Sequence, residues 1–392
     1  MKSSNLSVLV VAHDCPYPAN HGGRVDMWSR LQQLNAKGVQ IVLLSWSNSP
    51  PSRDEAVVIQ KYVLAHMHHQ VTFKSRIAAF GHPLLPSGVA THVLSASELA
   101  EARIESESVD AVILDGIYGF APALALSEIL RKPLIYRAHN VEWKHMGDQV
   151  HSSTGIGKLR YMLDSVRMRR IEYVLRHKAA AICEISDEDD LYWRTRGYAS
   201  QTVVRPYVNV ADSCRWTSSR DIQFDIAFCG NLHNANNLEG LRWFVEYVAP
   251  LLPIETSIVF AGSQPTEEVL QLAESSPRNV RVIPDPGNME DIYAISRVLI
   301  NPSRRASGVN LKSVGMLASG LPFVCTPSAM RGIPDQLRLF VNVRDRAQDF
   351  ASSLDQAIQD NRGYSVKQCE MTREFFGESQ VEGFLKLISD SL

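Results

Sequence analysis

FDIAFCG, residues 224–230, decides the fold: an apolar run of strand character ends abruptly on Gly230 and gives way to a polar loop and a helix. SVLVVAH, residues 7–13, opens the chain in the same way, running out into a loop that carries Gly22 and Gly23. Each of these runs starts a series in which short β-rich segments alternate with longer helical patterns. That alternation is the sequence form of a parallel sheet covered by helices on both faces. After residues 7–13 the first series continues with VQIVLLSW (39–46), DAVILD (110–115), PLIYRAHN (133–140), AAICEIS (180–186) and TVVRPY (202–207). The second continues from residues 224–230 through a helix around 238–251 to strands at 257–262, 279–284, 298–302 and 322–326. The expected fold class is α/β, with two Rossmann-like parallel-sheet domains facing each other across a cleft.

Length agrees, since 392 residues exceed one ordinary core and suit two domains of similar size. The expected division is an N-terminal domain over residues 1–207, a polar linker over 208–221, a C-terminal domain over 222–380, and a last helix over 381–392 that packs on either domain. A hydrophobic content of 45%, 21% charged residues and a net charge of −2 describe a well-packed protein and argue against a general nucleic-acid binder. The six cysteines, with no CxxC pair, read as buried free thiols of a reducing compartment rather than a disulfide or metal framework. The apolar run at residues 6–12 is too short for a signal peptide or a membrane span. The expected location is therefore cytoplasmic, with peripheral contact on the inner membrane face left open.

In open parallel sheets ligands bind beyond the carboxyl ends of the strands, where free N–H groups and the dipole of the following helix favour anions. Four loops lie there. The first, AHDCPYPANHGGR at residues 12–24, holds Gly22 and Gly23, which let backbone approach a ligand; a plain turn fits equally, and no dinucleotide fingerprint is present. The second, RAHNVEW at 137–143, crowds His139, Asn140 and Glu142 behind a buried strand, for function or as a satisfied structural histidine. The third, FCGNLHNANN at 228–237, offers Gly230, Asn231 and further amides, either as neutral donors to a phosphate or sugar or as a helix cap. The fourth, NPSRRASGVNLKSVGMLASGLPFV at 301–324, places Arg304 and Arg305 after a strand, then Gly308, Val309, Asn310 and Leu311, with Lys312 in a first helical turn. A cation there opposes the helix dipole, so Lys312 is most simply explained by an anion bound beside it. A phosphate would engage the helix N-terminus, Lys312 and Arg304 together, whereas a solvated surface is the plainer reading of the two arginines.

These stretches resemble the family-4 group of glycosyltransferases with the GT-B architecture, also described as glycosyl transferases group 1. The resemblance covers both halves and is strongest in FCGNLHNANNLEGLRWFVEYVAP (228–250), FAG (260–262), NVRVIPDPGNMEDIYAISRVLINPS (279–303) and GVNLKSVGMLASGLPFVCT (308–326). It implies a nucleotide-diphosphate sugar as donor substrate, a UDP-sugar first, with no separate cofactor. It places Gly22, Gly23 and residues 308–311 against the diphosphate, His139 against the donor sugar, and the loop around Ile283 against the base. The chain departs from the family at Ser307 and Gly315, where a pair of acids usually stands, which leaves the ribose contact unassigned. It departs again after Gly230, where asparagines replace the usual Arg and downstream Lys. Phosphate charge would then fall mainly to Lys312, Arg304 and helix dipoles.

Such a reaction builds negative charge on the departing diphosphate, and helix N-termini with Lys312 stabilise it without a metal. The expected activity is a metal-independent hexosyltransferase reaction, with retention implied by the resemblance. Inversion would need a carboxylate base, for which Asp115 and Glu142 stand at strand ends. The expected acceptor is a glycan or lipid-linked hydroxyl of surface-polysaccharide synthesis. Residues 158–178 carry seven Lys or Arg against two acids, a pattern for an anionic membrane surface or for a helix packing its Leu and Val face on the core. A UDP-sugar epimerase and a catalytically silent scaffold of the same fold are the competing readings.

Overall fold

The computed structural model describes residues 6–20, 22–198, 200–208, 221–305, 308–360 and 363–392. Most of the expected linker, Cys214 and Ser307 lie outside them. The chain separates into two compact units: Met1–Ala19, Gly23–Arg205 and Gln380–Leu392 in the first, Asn20–Gly22 and Pro206–Ser379 in the second.

The first unit is built on seven parallel strands: β1 (Ser7–Ala12), β2 (Gln40–Ser47), β3 (Ala65–Gln70), β4 (Ala111–Asp115), β5 (Leu134–Arg137), β6 (Ala181–Glu184) and β7 (Thr202–Val203), in the order β3-β2-β1-β4-β5-β6-β7. All six residues of β1 are buried, as an apolar strand covered by helices on both faces must be. Val10 pairs with Leu43 of β2 and with Ile113 of β4. Leu9, Val11, Val112, Leu114, Tyr136, Met168 and Leu175 meet in the core. The C-terminal helix Glu378–Asp390 joins this unit, with the Arg30 guanidinium over the Phe384 ring and the Arg205 amide donating to Gln380 Oε1 at 2.8 Å.

The second unit carries six parallel strands: β8 (Phe224–Cys229), β9 (Ser257–Gly262), β10 (Asn279–Pro284), β11 (Ser296–Asn301), β12 (Phe323–Cys325) and β13 (Val341–Val343), in the order β10-β9-β8-β11-β12-β13. Separate apolar clusters cover its two faces, one around Val314, Leu317 and Phe323, the other around Phe228, Phe244, Phe260 and Phe350. The helix expected at 238–251 is Ala235–Trp243, followed by a π turn, Phe244–Val248, and a 3-10 turn, Ala249–Leu251.

In each sheet the chain steps outward from its first strand and then returns to the other side of it, so strand order reverses between β1 and β4 and between β8 and β11. Loops leaving these neighbouring strands diverge and open a crevice at their carboxyl ends, the place where α/β sheets bind ligands. The described cysteines Cys15, Cys183, Cys229, Cys325 and Cys369 are buried and free, as expected. The helix Gly155–Lys178 corrects one expectation. Its second half buries Met168, Ile171 and Leu175, but its first half leaves Ile156, Leu159, Met162, Leu163 and Val166 exposed instead of packing them on the core.

Candidate active site

In the first unit, the reversal point between β1 and β4 is occupied by a charged network. Asp115 ends β4, Arg137 ends β5, and Asp26 and Arg30 stand one turn apart on the helix Gly22–Ala36. Arg137 is fully buried and donates to Asp26 at 2.8 Å and to Asp115 at 3.3 Å, while Arg30 reaches Asp26 at 2.7 Å and Asp115 at 3.4 Å. Two guanidinium groups thus balance two carboxylates, the only condition under which four such charges sit out of water. Burial alone would push both acids upward, but the arginines outweigh it: Asp115 is held well below the usual carboxylate range and Asp26 below its ordinary value.

His139 closes the network, its Nε2 lying 2.6 Å from Asp115 Oδ1. The same nitrogen lies 3.0 Å from Arg137 Nη1, so it faces the Asp115 acceptor and the Arg137 donor together. The edge of the His139 ring meets His13, whose own pKa is pushed down to about 4 by burial and by His139. His13 fits there because residue 116 is glycine: at φ +81° a Cβ would lie 2.6 Å from His13 Nδ1.

Glu142, three residues on, belongs to a different group. It is buried, receives Asn140 Nδ2 at 3.2 Å, and begins the helix Glu142–Ser152, whose first N–H groups, those of Glu142 and Trp143, donate to the Glu172 carboxyl at 2.9 and 3.1 Å. Glu172 therefore caps that helix from its neighbour. Burial, then the Glu142 charge, hold Glu172 well above the usual carboxylate range.

In the second unit the crevice lies beside Lys312. Asn310 caps the helix Leu311–Ala318 and is tied to the end of β11 through Asn301, whose Nδ2 donates to Ser313 Oγ at 2.8 Å and to Asn310 Oδ1 at 3.2 Å. The Lys312 ammonium donates to Asn237 Oδ1 and lies 3.4 Å from Ser303 Oγ and 5.1 Å from the centre of the Phe228 ring. Asn237 is itself oriented, since its Nδ2 donates to the Asn231 carbonyl at 2.7 Å. All these partners are neutral, and burial pushes the Lys312 pKa down to about 7. Glycine makes the arrangement possible twice. A Cβ on Gly230 would sit 2.8 Å from Lys312 Cδ, and one on Gly262 would overlap the Gly230 carbonyl oxygen at 1.6 Å.

Lys312, Asn310, Leu311, Gly230 and Asn231 are thus gathered at one crevice, with Gly308 in the left-handed region at φ +59° and Val309 packed under Gly332. Arg304 does not share the Lys312 pocket as expected: it donates to Asp345 at 2.7 Å and stacks on Trp243. Asn231 spends its side-chain oxygen on the His233 amide, so it shapes the loop. Ile283 lies half-buried on β10 beside Ala261 of β9. Gly22 and Gly23 open the helix Gly22–Ala36. Sequence reasoning missed Asp26 and Arg30, whose partners Asp115 and Arg137 come from distant segments. For Asn237, Ser303 and Arg137 the loops were flagged but the residues were not.

Residues 223–360 match the family model for glycosyl transferases group 1. The matched stretch covers all six strands of the second unit. It contains the whole Lys312 pocket. The chain is also 24% identical over 341 residues to a 44.6 kDa protein of the Klebsiella pneumoniae cps region, covering 83% of this chain and 84% of that one. Among solved structures, Anabaena HepE in complex with UDP and glucose matches 99% of this chain and all of its own with a TM-score of 0.69 at 12% identity. Sucrose-phosphate synthase from Thermosynechococcus elongatus matches 98% of this chain and 99% of its own, at 0.64 and 13%. The fold is therefore that of the GT-B glycosyltransferases.

Proposed function

We propose that this protein moves a sugar from a nucleotide-diphosphate sugar, UDP-linked in the first instance, to a hydroxyl of a glycan or lipid-linked acceptor in capsule or related surface-polysaccharide synthesis. The observation that carries this reading is Lys312: a half-buried cation in the first turn of a helix, held by an amide, a hydroxyl and a ring face. Among the described residues no carboxylate is its partner. A diphosphate supplies the missing charge and at the same time meets the open N–H groups of that helix. HepE, which shares the fold, is known in complex with UDP-glucose, and the cps-region relative favours capsule synthesis.

In this reading, Lys312 and the helix Leu311–Ala318 stabilise charge on the departing diphosphate, so transfer needs no divalent cation on the phosphates. His139, oriented by Asp115, acts at the donor sugar with retention of configuration. The acceptor would be met at a membrane: exposed Phe73, Ile77, Phe80 and Leu84 accompany Lys74 and Arg76, and the exposed apolar half of Gly155–Lys178 carries Lys158 and Arg160. The two segments are stitched together where Ser87 donates to Asp164.

A thermal-shift series with UDP, GDP and dTDP tests the donor site. A nucleotide at a hundred times its Kd adds about 2.7 kcal/mol of stability. UDP is expected to raise Tm in the wild type and not in Lys312→Ala, with no change on adding Mg²⁺ or Mn²⁺. No response to any nucleotide would sink the proposal; UDP binding without sugar turnover on any acceptor would favour the scaffold reading.

A further inference from the structure

Apart from the donor pocket, the first unit holds a group of metal-ligand side chains that the proposed reaction does not use. Cys15 lies in the loop after β1, and His66 and His68 project from one face of the edge strand β3; one ligand atom from each lies within 4.8 Å of the other two. At their meeting point stands Ser45 of β2, a fully buried hydroxyl 2.8 Å from His66 Nε2 and 3.1 Å from His68 Nδ1. The second nitrogen of His68 meets Ser47 Oγ at 3.1 Å, an outer hydrogen bond of the kind that fixes the orientation of a metal-binding imidazole.

The chemistry of the set is specific. A thiol and two imidazoles are borderline-soft donors suited to zinc, whereas calcium and magnesium seek oxygen. Asp14, next to Cys15 in the chain, receives Arg24 at 2.7 and 2.8 Å. Zinc bonds of about 2.3 Å to sulfur and 2.0–2.1 Å to nitrogen imply ligand separations of roughly 3.3–3.6 Å, so the three side chains need to close by only ~1 Å.

We infer that Cys15, His66 and His68 form a three-ligand site for a zinc-type divalent cation, with water in the fourth position, that clamps the loop after β1 to the edge strand β3. On binding, the Cys15 S–H gives up its proton to solvent and its contact with the Tyr17 carbonyl, and a thiolate–metal bond replaces them. This inference is independent of the proposed transferase reaction, which uses other residues.

The test is Zn²⁺ calorimetry and Co²⁺ absorption on the untagged full-length chain, after chelation and desalting. One Zn²⁺ per chain is expected, with a raised Tm. Co²⁺ should give a thiolate-to-metal charge-transfer band in the wild type. Cys15→Ser should lose that band, and His66→Gln should bind at least 100-fold more weakly. Ser45→Ala, which removes the hydroxyl that competes with the metal for His68 Nδ1, should bind Zn²⁺ at least as tightly as the wild type. His69→Gln, on the opposite face of β3 and paired with Glu98, should leave stoichiometry and affinity unchanged. Absence of the thiolate band in the folded wild type overturns the site whatever the variants do, as does a Zn²⁺ stoichiometry that Cys15→Ser and His66→Gln both retain.

Discussion

Lys312 is costly to the free protein in the way a binding residue should be. Its folded pKa, about 7, lies below that of an unfolded lysine. The unfolded chain therefore binds more protons between pH 7 and the ordinary lysine value, and stability rises with pH across that window. Below about pH 7 both states are protonated and the full cost of burying the charge is felt. Lys312→Met should accordingly stabilise the ligand-free protein by on the order of 1–3 kcal/mol at pH 6, allowing for partial solvation. That gain should shrink toward pH 10 while the stabilisation by UDP is lost. A Tm series with pH for both proteins checks it; an equal gain at both ends would mean that the lysine carries no buried charge. The His139–Asp115 pair predicts a different separation. His139→Gln should lower transfer by roughly 10²–10⁴-fold with little change in Tm. Asp115→Ala leaves two buried arginines against the single carboxylate of Asp26 and should cost about 3–5 kcal/mol of stability.

At the scale of elements, Glu172 shows how one helix sets the entry of another. Its carboxyl receives the first two N–H groups of Glu142–Ser152, yet burial and the Glu142 charge hold its pKa well above the ordinary range. The neutral form is favoured in the fold, so its contribution is present below the unfolded carboxyl pKa and is lost as pH rises toward the folded one. Glu172→Gln, which keeps an accepting oxygen and cannot ionise, should flatten the fall of Tm between pH 5 and 8; Glu172→Leu should lose both hydrogen bonds and destabilise at every pH by roughly 1–3 kcal/mol. The elements most legible in the sequence were those with a continuous apolar run, such as β1, β4, β8 and β9, because a strand covered on both faces must be written that way. β3 escaped notice because AHMHHQ is an edge strand with half-buried residues and no apolar period, and β13 because three residues carry no pattern. Lys312 was legible from local physics alone, a cation placed against a helix dipole. Asp26 and Arg137 were not, since their bond joins positions 111 residues apart, and the same holds for Cys15 with His66 and His68.

At the scale of the whole molecule, the net charge of −2 gives no general attraction to an anionic membrane, so any docking depends on where charge and apolar surface coincide. No helix among the described residues is long and apolar enough to cross a bilayer. The helix Gly155–Lys178 is instead divided, one half packed on the core and the other presenting Ile156, Leu159 and Val166 to solvent between exposed cations. Phe73 and Ile77, exposed on Phe73–Phe80, extend the same character. Each cation near an anionic surface contributes about 1 kcal/mol, a term that salt screens over about 8–10 Å, whereas apolar insertion is nearly indifferent to salt. The protein should therefore co-sediment with phosphatidylglycerol vesicles, and weakly or not at all with phosphatidylcholine. Phe73→Ser with Ile77→Ser should reduce the bound fraction at every salt concentration, whereas Lys158→Gln with Arg160→Gln should reduce it mainly at low salt. Arg160 also touches Ser87 Oγ at 3.1 Å, so the Tm of that variant must be measured alongside. If both pairs of substitutions leave vesicle binding unchanged, the acceptor reaches the enzyme by another surface and the lipid-linked reading fails, while the donor pocket around Lys312 stands or falls on its own test.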